Sequence, residues 1–207
     1  MKNIKKKVVN FIDATYEMVE KKRKEIEGNV EINFIQTVNV LRKDNEWEYM
    51  RIEDIPPEVK FLQLYSPLYY DQIMKTNPRF FEQIEVISAA LYFMKEEKKT
   101  IDFEPFINCK TIFGTFNKVN VIYPKNIEHL IIQTYETDPI DLRKYSNLKS
   151  VSIEFHKRFG IQLDKSLSIL LPNHLEYFES NTSDVVIENF NEINIEKYYI
   201  DGILQKK

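Results

Sequence analysis

The sequence IEHLII at residues 127–132 and the sequence LKSVSI at residues 148–153 share one apolar pattern. Apolar residues occupy the first, fourth and sixth positions, which are Ile127, Leu130 and Ile132 in one stretch and Leu148, Val151 and Ile153 in the other. The fourth and sixth positions are two residues apart, so their side chains lie on the same face of a β-strand. The pattern therefore predicts a short strand with one buried face.

This pattern recurs along the chain from about residue 55. It begins clearly at positions 59, 81, 127 and 148 and in a weaker form at positions 106, 175 and 195, at intervals of 20 to 27 residues. A repeat of that length predicts a solenoid, in which each unit stacks on its neighbours and buries a continuous core. Around Phe106 two other registers compete, one beginning at Cys109 and one at Phe116.

Turn-forming residues support this division into units. They precede the strand pattern at Pro56-Pro57, Pro124-Lys125-Asn126, Ser146-Asn147 and Pro172-Asn173. Proline cannot donate a hydrogen bond to a sheet, so it is favoured just outside a strand. These segments predict the turns through which the chain enters each strand.

From residue 55 to about residue 204 the chain resembles a divergent leucine-rich-repeat protein, similar to the irregular Ile-, Asn- and Lys-rich repeat families of protists. The resemblance implies an α/β repeat fold, a leucine-rich-repeat-like solenoid with a parallel sheet. The apolar spacing of segments such as 141–145 and 163–170 suits a helical or 3₁₀ return across the other face. The chain lacks the usual asparagine or cysteine eight residues after the first apolar position. Its turns therefore need another source of hydrogen bonds.

Residues 1–54 are predicted to form an N-terminal helical cap segment, with residues 55–207 forming the repeat array. Between Ile4 and Glu27 apolar residues recur at helical spacing, and Gly28 is a suitable stop. Docking of this helix on the end of the core is the preferred interpretation. Binding of its basic face to an anionic membrane is the alternative, although acidic residues interrupt that face. Val30, Ile32 and Phe34 alternate and are expected to begin a strand.

Composition excludes several functional classes. The net charge of −3 disfavours nucleic-acid binding, and no stretch approaches the ~20 apolar residues of a membrane span. One cysteine cannot form an intramolecular disulfide, and the four glycines are too dispersed for a phosphate-binding loop. We therefore expect a cytoplasmic protein with no cofactor and no metal site.

The residues between the buried positions of each strand should form one common outer face. This set is expected to include Gln83, Glu85 and Ile87 on one strand, and five large side chains elsewhere that are candidate anchors for a partner: Phe61, Tyr65, Ile131, Tyr177 and Tyr199. Large rigid side chains dominate the energetics of interfaces. The sequence thus predicts a non-catalytic module that binds a protein partner of unknown identity. The apolar segment 200–204 predicts an unpaired edge and leaves the oligomeric state open.

The alternative is an enzyme of unknown class. Cys109 could serve as a nucleophile if His129 or His156 acted as its base. Its place at an apolar position of the repeat favours a role in the core instead. Asp102 and Glu104 are close in sequence, but proximity alone does not give two carboxylates the separated pKa values of an acid and a base. A smooth sheet face would favour binding, and a deep pocket with convergent polar groups would favour catalysis.

Overall fold

The computed structural model describes residues 7–12, 30–36, 39–41, 47–49, 60–64, 70, 74, 78–92, 99–156 and 166–205. The elements in chain order are β1 (Lys7–Ile12), β2 (Val30–Gln36), β3 (Asn39–Leu41), β4 (Trp47–Tyr49), β5 (Phe61–Leu64), α1 (Pro78–Gln83), β6 (Val86–Tyr92), β7 (Lys99–Asp102), β8 (Thr111–Asn117), β9 (Val119–Ile122), β10 (His129–Thr134), β11 (Ile140–Asp141), β12 (Ser150–Phe155), β13 (Leu167–Leu170), β14 (His174–Ser180), β15 (Val185–Ile187), β16 (Asn194–Ile200) and β17 (Ile203–Gln205).

Ten of these strands form one sheet, the main sheet, in the order β1-β2-β5-β6-β8-β10-β12-β14-β16-β17. Neighbouring strands are parallel except for β16 and β17, which form an antiparallel hairpin. Shorter strands lie between them along the chain and form two further parallel sheets, β7-β9 and β11-β13-β15. From β7 to β16 the chain alternates between main-sheet strands and these short strands. The architecture is therefore a parallel β-solenoid, with five turns in this part of the chain.

The predicted solenoid and its parallel sheet are confirmed, but the α/β character is wrong. Of the return segments expected to be helical, 163–170 contains the strand β13, and 141–145 begins at the last residue of β11 and continues as a turn. Buried side chains alternate with less buried ones along β13, where Leu167 and Ile169 reach the core. Among the described residues the helical structure consists of the six-residue α1 and the single helical residue Tyr70.

The predicted N-terminal helix is also wrong over its first part, because residues 7–12 form β1 and pair in parallel with β2. The sequence KVVNFI fits both periods: Val8, Phe11 and Ile12 are spaced as on a helix, yet the segment is rich in β-branched and aromatic residues that favour strands. Pairing with β2 decides between them, and the main sheet therefore begins before residue 55. The strand expected from Val30 is confirmed. Residues 13–29 lie outside the described residues.

Strand pairing confirms the predicted register at positions 127, 148, 175 and 195. Leu130 pairs with Val151, Val151 with Phe178, and Phe178 with Tyr198. The registers predicted from Phe81 and Phe106 are each three residues early. In the structure Ile87 of β6 pairs with Leu62 of β5 and with Ile112 of β8, so these units begin at Ile84 and Cys109. For the second unit, the competing register from Cys109 is the correct one.

The segments that precede β6 and β8 explain why the sequence pattern predicts these two registers three residues early. Phe81 in α1 and Phe106 in a turn are both buried three residues before the true first position, so each matches the pattern without belonging to the strand. The true sixth positions are Ala89 and Gly114, which are paired with each other and are too small to mark an apolar position in the sequence. Cys109, the true first position of its unit, is fully buried.

Asparagines immediately before the first buried position connect successive entry turns. The Asn108 Nδ2 donates to the Glu82 carbonyl at 2.7 Å, the Asn126 Nδ2 to the Ile107 carbonyl at 3.2 Å, and the Asn147 Nδ2 to the Lys125 carbonyl at 3.4 Å. Each amide thus bonds to the turn of the preceding unit. This asparagine ladder supplies some of the turn hydrogen bonds that the chain needs because it lacks the usual repeat asparagine or cysteine. The asparagines of the ladder occupy a different position of the repeat.

Candidate interaction surface

The candidate site is the side of the main sheet whose side chains point away from the core, called here the exposed face. On β12, Val151, Ile153 and Phe155 are buried, while the intervening residues are half-buried. The same alternation holds across the paired strands, because parallel register brings equivalent positions side by side. The surface is consequently set by the residues that the repeat pattern leaves unspecified.

An apolar patch lies on β5, β6, β8 and β10, formed by Phe61, Val86, Phe113 and Ile131. The Phe61 and Phe113 rings are 5.8 Å apart between centroids and contact each other across β6, where Ser88 leaves room. Ile131 pairs directly with Phe113 and is 39% exposed. The other three side chains are half-buried. Apolar side chains grouped on a solvent-facing sheet are typical of contact sites.

A second aromatic group lies at the other end of the exposed face. The rings of Tyr177 on β14 and Tyr199 on β16 are 5.4 Å apart between centroids and tilted by 34°. The Tyr177 hydroxyl donates to the Glu179 carboxylate at 2.7 Å. This hydrogen bond raises the pKa of Tyr177 to about 12, because losing the proton would place two negative charges together. Tyr177 is therefore held as a neutral hydrogen-bond donor.

Polar side chains connect the strands at the carboxyl ends of β8, β10 and β12. The Thr115 hydroxyl donates to the Gln133 Oε1 at 2.8 Å, and the Gln133 Nε2 donates to the Glu154 carboxylate at 2.6 Å. The His156 Nε2 lies 3.7 Å from the same carboxylate. These bonds orient Gln133 and Glu154 along one edge of the apolar patch.

Alternating charges connect the strands at their amino ends. The residue after the first apolar position of each unit forms a row across six neighbouring strands, called here the charge ladder: Lys60, Glu85, Lys110, Glu128, Lys149 and Glu176. Lys60 pairs with Glu85, and Glu128 lies 2.8 Å from Lys110 and 2.5 Å from Lys149. The two lysines lower the pKa of Glu128 to about 2. The ladder places opposite charges at equivalent positions of neighbouring strands and so favours the observed register.

The structure divides the predicted anchors into two groups. Phe61 and Ile131 belong to the apolar patch, and Tyr177 and Tyr199 form the second group, whereas Tyr65 lies outside the described residues. Ile131 and Tyr199 occupy one row, three strand spacings or about 14 Å apart.

The predicted face needs two corrections, both caused by the displaced registers. Ile87 was expected to face outward, but it is fully buried, and Gln83 belongs to α1 and not to a strand. Phe113 was missed for the same reason. The competing pattern from Cys109 to Ile112 was the signal that would have placed Phe113 on the exposed face.

Cys109 does not have the setting of a nucleophile. Burial raises the pKa of its thiol to about 12, and the sulfur donates to the Thr111 carbonyl at 3.4 Å. The His129 Nδ1 is engaged with the Ser150 hydroxyl at 2.8 Å. Within the described ranges, no group of three or more His, Cys, Asp and Glu side chains is placed to hold a metal ion.

A cavity of about 170 Å³ lies between β9 and β11, which belong to different short-strand sheets. Phe116, Val121 and Ile132 line its apolar part, while Glu136 and Asp141 are among its polar groups. Arg143 binds the Asp141 carboxylate at 2.7 Å and lowers its pKa. The acidic charge at this rim is therefore partly neutralised within the protein.

No family model, curated protein or solved structure matches this chain. Among the described residues, no helix combines the length and the apolar character needed to cross a membrane. Functional inference consequently depends on the geometry of the exposed face.

Proposed function

We propose that this protein is a non-catalytic interaction module that binds a partner protein on the exposed face of its main sheet. The observation that carries the proposal is the apolar patch, in which the half-buried Phe61 and Phe113 rings contact each other beside the 39% exposed Ile131. Burying such side chains against a partner removes apolar area from water, which is the main favourable term in association.

The second aromatic group supports the same surface. Tyr177 and Tyr199 combine large apolar rings with polar tips, a combination that is enriched at protein interfaces. Glu179 lies beside Tyr199 in the register and accepts the Tyr177 hydroxyl. A partner covering both groups would span a polar strip at β12, where Ser150 and Ser152 face outward. The spacing suits two contact regions on one partner.

The chain offers a matched pair of exposed aliphatic residues with which to test this proposal. Ile131 is 39% exposed on the exposed face, and Val186 of β15 is 41% exposed on a different sheet. A photoreactive amino acid placed at position 131 should cross-link a specific protein in native lysate. The same group at position 186 should not capture that protein.

Substitutions in the apolar patch should then weaken binding of the captured partner. Ile131→Arg is expected to weaken binding by ~10-fold or more, because it places a charge in a desolvated contact. Val186→Arg should leave the affinity unchanged, and Tyr199→Ala should weaken binding at the second group. Equal capture from positions 131 and 186, or equal effects of the two arginine substitutions, would refute the proposal.

A further inference from the structure

The hairpin formed by β16 and β17 ends the main sheet. Asp201 and Gly202 form its two-residue turn, with φ angles of 52° and 71°, and Ile200 pairs with Ile203 across it. Positive φ at both turn residues is the signature of the type I′ hairpin. In the part of the chain that the structure describes, β17 is the last strand of the sheet, so its outer side is an open edge.

The pairing pattern determines which backbone groups face that edge. In a two-residue hairpin the residues that flank the turn form a hydrogen-bonded pair, and orientation then alternates along the strand. The Asp201 N–H donates to the Ser180 carbonyl of β14, which agrees with Ile200 pointing the other way, toward β17. Ile203 and Gln205 therefore pair with β16, while the N–H and C=O of Leu204 face the open edge.

Two of the three side chains of this strand are apolar and exposed. Ile203 is 65% exposed and Leu204 is 58% exposed, and neither proline nor a charged residue interrupts β17. Proteins commonly use such residues to prevent pairing at sheet edges. Leu204 lies opposite Tyr199 and therefore belongs to the exposed face.

We propose that two copies of this chain associate edge to edge through antiparallel pairing of β17, centred on Leu204. A two-fold axis at Leu204 pairs each outward N–H with the C=O of the other copy, so the contact is self-complementary and closes as a dimer. The two Leu204 side chains would meet on the same side of the joined sheets, each flanked by the Tyr199 of its own copy. Ile203 would lie opposite Gln205 of the other copy.

Disulfide cross-linking tests the register of this contact. Residues in an antiparallel hydrogen-bonded pair have Cα atoms about 5.5 Å apart, a distance that a disulfide spans. Leu204→Cys should form covalent dimers under mild oxidation ~10-fold or more faster than Ile203→Cys, whose two copies would be diagonal neighbours. Exposure alone would favour cross-linking at position 203, because Ile203 is more exposed than Leu204. The native Cys109 is buried and does not compete with the introduced thiol. Equal or faster cross-linking of Ile203→Cys would overturn the proposal.

Sedimentation equilibrium tests the association itself. The mass of the unmodified protein should rise with concentration from 24.8 kDa toward twice that value. Leu204→Lys should remain at the mass of one chain, because it places like charges opposite each other. Val186→Lys, a matched change on the edge strand β15, should associate as the unmodified protein does. A constant 24.8 kDa for the unmodified protein, or the same behaviour in both lysine variants, would overturn the proposal.

Discussion

Gly114 illustrates how a single residue constrains the main sheet. A Cβ atom at this position would lie 2.1 Å from the carbonyl oxygen of Ala89 on the neighbouring strand. Real Cβ atoms do not approach backbone oxygens so closely, and a sheet backbone cannot move aside as the end of a flexible side chain can. The absence of a side chain at Gly114 therefore allows β6 and β8 to pack at this point.

Gly114→Ala is expected to lower the free energy of unfolding by about 3 kcal/mol, the cost of inserting a methyl group against fixed backbone. Gly202→Ala is the control, because it strains a positive φ but meets no atom within 4 Å. Its cost should be about 1 kcal/mol. Urea unfolding followed by circular dichroism measures both. An equal loss in the two variants would mean that the contact with Ala89 does not determine the requirement for glycine.

At the scale of the residue, the sequence predicts which large side chains are buried, but it does not predict where small residues are required. Leu62, Ile132 and Val151 were recognised as buried because they are large and regularly spaced. Ala89 and Gly114 do not stand out as sixth positions of the pattern. A small residue is required there by the distance to the neighbouring strand, and its own apolar area gives no signal in the sequence. That distance is a property of the paired strands.

The hydrogen bonds of the turns show what matters at the scale of the element. Asn181, directly after β14, binds the backbone of Phe155 at the end of β12: its Oδ1 accepts from the Phe155 N–H at 2.8 Å, and its Nδ2 donates to the Phe155 carbonyl at 3.2 Å. Asn189, after β15, makes the same two bonds to Leu171, the residue that follows β13, at 3.0 Å and 2.8 Å. Asn181 is exposed, whereas Asn189 is 8% exposed.

This pair of asparagines predicts different costs for the same substitution. Asn189→Ala should lower the free energy of unfolding by about 2 to 4 kcal/mol, because it leaves a buried N–H and C=O without partners. Asn181→Ala should cost about 1 kcal/mol, since removing the exposed Asn181 side chain would open the Phe155 groups to water, which can replace the lost bonds. Urea unfolding compares them directly. Equal costs would show that solvent access does not control the contribution of these amides.

The sequence also predicted the elements unevenly. Where the true sixth position of the unit is a large apolar residue, as in β10 and β12, the pattern predicts the correct register. The segment of β1 is predicted to be helical because its apolar residues continue the helical spacing of residues 4–27, and six residues contain too few repeats to separate a period of 3.6 from a period of 2. The apolar spacing of the return segments predicts helical turns, while their actual conformation depends on pairing with the return segments of adjacent turns.

The charge ladder acts at the scale of the whole molecule, because it crosses six strands of the main sheet. Glu128 is its best enclosed acidic member, with a side chain that is 18% exposed and contacts lysines on both neighbouring strands. Its pKa is lowered to about 2 by hydrogen bonds to Lys110 and Lys149. The unfolded chain binds the proton more readily, with an ordinary glutamate pKa of about 4.3.

The resulting contribution to stability has a defined sign. It is fully present above about pH 4.3 and is lost as the pH falls toward about 2, because the native state must then accept a proton on Glu128. Glu128→Gln should therefore flatten the dependence of the unfolding free energy on pH across that range. Glu104→Gln, at an exposed turn residue, should follow the unmodified protein. Parallel curves for Glu128→Gln and the unmodified protein would contradict this assignment.

The sequence by itself determined that this chain is a solenoid with a parallel sheet, and it placed Phe61, Ile131, Tyr177 and Tyr199 on the exposed face. Those features follow from local apolar spacing, which is written along the chain. The tertiary structure decided the registers of β6 and β8, the strand conformation of β1 and of the returns, and the meeting of Phe61 with Phe113. These depend on which strands are neighbours, and the physical reason is that backbone pairing and contacts between units join residues about twenty or more positions apart.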